Sequence, residues 1–94
     1  MKKDKLEEYI KEVKMDKDVK VNSSNVARIA HNQEYAVLEI EFWGRGNKPG
    51  TTYRYFPVPY QQFSDMQKAE SVGTYFFNNI RNAKGITTVK IEKK

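Results

Sequence analysis

His31 is the only histidine in the 94-residue chain and cysteine is absent, so the reactive chemistry open to this sequence is narrow. A nucleophilic mechanism needs a nucleophile held beside a base, and a zinc site needs several imidazole or thiolate ligands. One imidazole supplies neither. His31, near the end of a strand-like run, reads as a surface or hydrogen-bonded structural residue. Glu39 and Glu41 stand two apart on a strand and so share one face. That pair could hold a hard cation, but it is also the ordinary solvent face of an antiparallel strand, which is the reading adopted. No catalytic residue, cofactor or metal site is expected.

Binding chemistry is better represented. The segment GRGNKPG, residues 44–50, has neither a P-loop lysine-serine pair nor a GxGxxG opening a helix, so it is a flexible hairpin connection and not a phosphate cradle. It nonetheless places Arg45 and Lys48 beside Trp43, two cations that could grip a phosphate backbone next to a ring that could stack a base. Tyr53 and Tyr55 offer further rings, and Arg54, Arg81 and Lys84 further cations. Each has an alternative role. Tyr53 and Tyr55 also suit the core of a small domain, Arg81 could cap helix carbonyls, and basic residues at a hairpin tip commonly serve solubility.

The elements that would position these groups follow from periodicity. Leu6, Tyr9, Ile10 and Val13 keep the spacing of one helix face, predicting a helix from Asp4, as its cap, to Met15. Its other faces are Lys and Glu, as a solvated helix would show. VNSSNVARIAHN reads as a first strand, and YAVLEIEFW as a half-buried second one with Leu38, Ile40 and Phe42 inward. TTYRYFPV returns as the third, with Tyr53 and Tyr55 on one face and Arg54 on the other, until Pro57 and Pro59 remove backbone donors. Helices are predicted over 59–69 and 71–83, the second capped by Ser71 and closed near Gly85. ITTVKIEKK alternates as a fourth, C-terminal strand.

The predicted fold class is therefore α+β: an N-terminal helix, a three-stranded antiparallel meander, two helices on one sheet face, and a closing strand. Residues 1–18 form a helical extension and 19–94 the domain. The expected core is Leu38, Ile40, Phe42, Phe63, Phe76 and Ile80.

Composition sets outer limits. The chain is long enough for one core, and with 38% hydrophobic residues that core must lean on six Tyr, five Phe and one Trp. The missing cysteine fits a reducing compartment. No apolar run approaches the ~20 residues of a membrane span, and no secretory h-region follows the basic start, so a cytoplasmic protein without a membrane partner is expected. Formal net charge is +5, and most of that excess lies beyond residue 20. A basic body favours anionic partners.

Several ordered blocks then carry a resemblance: Ser23-Ser24-Asn25, the pair Tyr53-x-Tyr55, Val58-Pro59, and Ser71-x-Gly73-x-Tyr75-Phe76 closing on Ile80-Arg81. Together they are similar to the KTSC domain, a small family named for the C-terminus of some lysyl-tRNA synthetases and also encoded alone in bacteria and phages. The resemblance covers about Val21 to Arg81. His31-Asn32 departs from it, standing where the family usually shows Tyr-Asp. It implies a compact module with no catalytic residues to inherit, and an association with RNA. The sequence thus points to a non-catalytic module that binds RNA or another single-stranded nucleic acid. The alternative is a protein-interaction accessory, phage-encoded, that docks through the N-terminal helix or a sheet edge.

Overall fold

A computed structural model describes residues 2–91, without the side chains of residues 2–4, 47 and 49. Helix α1 spans Lys2–Glu12, followed by strands β1 (Lys17–Lys20), β2 (Val26–Asn32), β3 (Val37–Trp43) and β4 (Pro49–Phe56). Helices α2 (Tyr60–Lys68) and α3 (Val72–Phe76) come next, α3 continuing through a π-helical turn over Phe77–Arg81, and β5 (Thr87–Ile91) closes the order. All five strands form one antiparallel sheet in chain order, β1-β2-β3-β4-β5.

The fold class is α+β as expected, but the sheet has five strands. The C-terminal strand is present, and β1 is an addition. Its sequence, Lys-Asp-Val-Lys, carries one apolar residue among three charges, because an edge strand this short buries little on either face. The predicted boundary between residues 18 and 19 falls inside this strand. Helix α1 also ends earlier than predicted, at Glu12, leaving Val13 to pack from beyond its last turn. The Asp4 cap lies outside the described side chains, as do residues 92–94 of the closing strand.

Alternation sorts the side chains into two layers. Ile29, Leu38, Ile40 and Tyr55 face α2 and α3, where they pack on Phe63, Met66, Val72, Phe76 and Ile80. Of the expected core, Phe42 alone is half-buried, packed against this cluster at its margin. Ser71 caps α3 by accepting from the Thr74 N–H at 3.1 Å. Gly85 has the left-handed φ of 84° foreseen for it, in the turn before β5 and not directly at the helix end.

The opposite face corrects the sequence reading most. Helix α1 covers part of it, burying Ile10 and Val13 against Val37 and Val89. Leu6 and Tyr9, assigned to the same stripe, stay exposed. Glu39 and Glu41, expected in solvent, are both buried. They are held by cross-strand neighbours, with Arg28 donating to Glu39 at 2.5 Å and Glu41 at 2.9 Å, and Arg54 to Glu39 at 2.7 Å. Burial alone would raise the Glu39 pKa, but the two guanidinium groups outweigh it and hold the carboxylate below its usual range.

A candidate binding groove between α3 and the ends of β2 and β3

Among the described residues no group of His, Asp and Glu is arranged to hold a metal ion, and the Glu39–Glu41 pair is already spent on arginines. His31 is fully buried, stacked on the Phe63 ring at 5.3 Å, and its Nε2 is 2.6 Å from the Val58 carbonyl. A carbonyl can only accept, so Nε2 carries the proton and donates. Burial lowers the His31 pKa, which keeps the ring neutral. Of the two roles foreseen, the structural one holds. Among the described residues no helix is long and apolar enough to cross a membrane.

A groove of about 580 Å³ lies where the C-terminal end of β3 meets α3. Three local features border it. Ser23 Oγ accepts from the N–H groups of Asn25 and Val26, each at 3.2 Å, and fixes the loop before β2. Gly73 of α3 faces that loop, where a Cβ would make ordinary contacts with Asn25 Nδ2 at 3.4 Å and Ser23 Oγ at 3.7 Å. The register then shifts between Glu41 and Trp43. Phe42 and Trp43, neighbours at the end of β3, both line the groove.

Its rims are aromatic and its charge is of one sign. Trp43 donates its Nε1–H to the Ser23 carbonyl at 3.1 Å, which anchors one edge of the indole and leaves the ring 38% exposed. Phe77, 48% exposed, stands on the α3 side with the Arg81 guanidinium 5.0 Å from its centroid. Ser24, Asn25 and Thr74 add polar groups, and among the described residues no carboxylate lines the groove. Among the described residues Arg81 makes no ion pair.

The structure separates the residues that the sequence grouped. Trp43 and Arg81 share the groove; Arg45 and Lys48 are exposed on the hairpin that starts at its lining residue Gly44. Tyr53 and Tyr55 line an adjoining recess that also contains Arg81. Tyr55 is nevertheless only 5% exposed and packs on Phe76 at 5.2 Å, so it is a core ring and cannot stack a base. Lys84 is exposed in the turn before β5 and does not line the groove. Arg54 points to the opposite face, where its guanidinium is occupied by Glu39 and by main-chain carbonyls of Ile10, Lys11 and Val13. It cannot be a phosphate contact. Sequence reasoning missed Phe77, although an aromatic one helical turn before an arginine is a signal for such a pair.

The profile of the KTSC domain family matches residues 22–83. Every groove-lining residue falls inside that span, while α1, β1 and β5 fall outside it. A crystal structure of a KTSC domain protein from Yersinia pestis is similar with a TM-score of 0.68 and 28% identity, over 81% of this chain and 97% of that one. A search of curated proteins found no match.

Proposed function

The chain belongs to the KTSC domain family, and from that premise we propose that it is a non-catalytic module whose groove binds single-stranded nucleic acid, RNA foremost. One observation carries the reading: two exposed rings, Trp43 and Phe77, flank a groove in which, among the described residues, the one charged side chain is an arginine without an ion pair. Rings of this kind stack bases regardless of sequence, and a guanidinium takes a phosphate through a fork of N–H donors. Arg45 and Lys48 extend the positive field onto the neighbouring hairpin. Absence of catalysis is supported by the placement of the lone imidazole, which is locked in the core.

The test is binding of labelled single-stranded RNA, single-stranded DNA and duplex across a salt series. Single strands should bind in preference to duplex, with a slope of log K against log salt of about −2, near −0.7 for each of three phosphate contacts. Affinity that is absent, or flat with salt, overturns the proposal. A protein-docking role would then lead, resting on the exposed side chains of Leu6, Tyr9 and Tyr35 beside α1, where the two tyrosine rings meet edge-on at 5.6 Å.

A further inference from the structure

The groove continues past Arg81. Together with Phe42 and Phe76, that guanidinium also walls a second recess of about 360 Å³ over the β4–β5 pair. The remaining walls are Tyr53, Tyr55 and Thr88. Tyr55 lies directly opposite Thr88 in the ladder and Tyr53 opposite Lys90, so the antiparallel register gathers three hydroxyl groups and a lysine position on one sheet face. None of the three hydroxyls has a hydrogen-bond partner among the described residues. Tyr55 makes this notable, because its side chain is almost wholly buried and yet its polar atom is left to the recess. That oxygen is open to the recess, and an open hydroxyl facing a cavity is where a ligand can replace water.

The character of the groups selects the ligand. A guanidinium can only donate. Burial, and then the neighbouring Tyr53, raise the Tyr55 pKa, so its phenol keeps its proton and can donate as well. Among the described residues no carboxylate lines the recess. These donors are too many for a carboxylate, whose two oxygens the arginine fork alone would satisfy. A phosphomonoester presents three terminal oxygens, enough for the fork and the hydroxyls together, where an internal phosphodiester presents two.

We propose that the recess beneath Arg81, lined by the hydroxyls of Tyr53, Tyr55 and Thr88, is a phosphate subsite that receives the terminal phosphomonoester of a strand lying in the groove. The strand part rests on the function proposed above; the phosphate part does not. Inorganic phosphate titrated into the ¹⁵N-labelled full chain should shift the amides of residues 53–55, 81 and 88. Tyr55→Phe, which keeps the ring and the core, combined with Thr88→Val, should abolish those shifts in a protein whose spectrum stays folded. Oligonucleotides of one sequence ending in a 5′-phosphate, a 3′-phosphate or hydroxyls alone separate the sources. One phosphorylated form should bind about tenfold tighter than the hydroxyl form, a preference the double variant loses.

Equal binding of all three oligonucleotides overturns the terminal-phosphate assignment while leaving strand binding intact. Phosphate shifts without any oligonucleotide binding keep the subsite and remove the strand. Acetate acting at the same amides as strongly as phosphate, or phosphate shifts unchanged in the double variant, refutes the subsite itself.

Discussion

Arg54 and Ile10, 44 positions apart in sequence, are joined by a guanidinium N–H that donates to a main-chain carbonyl at 2.7 Å. The same Nη1 reaches the Val13 carbonyl at 2.6 Å, and Nε holds Glu39 at 2.7 Å. One side chain therefore satisfies carbonyls left over at the end of α1 and neutralises a buried carboxylate on β3.

Replacing Arg54 with Ala should cost about 1–3 kcal/mol, the range for leaving buried polar groups unsatisfied, because Arg28 still pairs with Glu39. Amide exchange in α1 should quicken before that in β3. Arg54→Lys should restore only part of the loss, since an ammonium cannot span three carbonyls and a carboxylate at once. Urea denaturation showing Arg54→Ala within 1 kcal/mol of the parent would refute the clamp.

His31 makes stability depend on pH in a defined direction. Its native pKa is lowered from the ordinary 6.5, so on acidification the unfolded chain takes up a proton that the native one refuses. Stability is then fully present above pH 6.5 and declines as pH falls below it, by at most about 1.4 kcal/mol per pH unit, until the native ring itself protonates. His31→Phe should remove this component from the curve between pH 7 and 5. An identical pH curve for that variant would place the titration elsewhere.

Gly50 is a steric requirement. A Cβ there would stand 2.8 Å from the Gly44 nitrogen and 2.9 Å from the Phe42 carbonyl oxygen, both backbone atoms that cannot swing aside. Gly50→Ala should destabilise by about 1–3 kcal/mol, as overpacking does, and disturb the Trp43 indole resonance because the hairpin base must move. Thermal denaturation and one NMR spectrum check both. An unchanged midpoint would show that the hairpin relaxes freely.

Groove residues and distant cations should part company in binding. Trp43→Ala and Phe77→Ala should each weaken oligonucleotide binding by roughly 5- to 150-fold, the equivalent of ~1–3 kcal/mol per stacked base. Lys84→Ala, outside the groove, should leave affinity within about twofold at moderate salt, apart from the weak screened effect of one surface charge. Equal losses at Trp43 and Lys84 in an anisotropy titration would mean diffuse attraction and no stacking site.

Sequence carried the α2–α3 side of the molecule well, because there local rules and burial agree. Leu38, Ile40, Phe63, Phe76 and Ile80 have the right period, and Ser71 announces a cap. The other side was illegible for a reason common to Glu39, Glu41 and Arg54. Alternation tells which face a residue takes and nothing about what covers that face, so three charged residues looked solvated until α1 and Arg28 were placed over them. Trp43 and Phe77 show the same limit in reverse. Their groove is assembled from the loop before β2, the end of β3 and α3, segments far apart in sequence.

The cluster of Ile10, Val13, Val37 and Val89 has a consequence for the order of assembly. Neighbouring strands β1 to β4 pair through short connections, so their hairpins close small loops and form early. Uniting Ile10 with Val89 instead closes a loop spanning most of the domain, a step that is modest in free energy but late in time. During synthesis at about 5–20 residues per second, α1 leaves the ribosome roughly 4–15 s before β5 exists to receive it. Through that interval the lysines and glutamates of the α1 segment keep it in water with Ile10 and Val13 unmet, and the groove-bearing unit can be complete before its second layer docks.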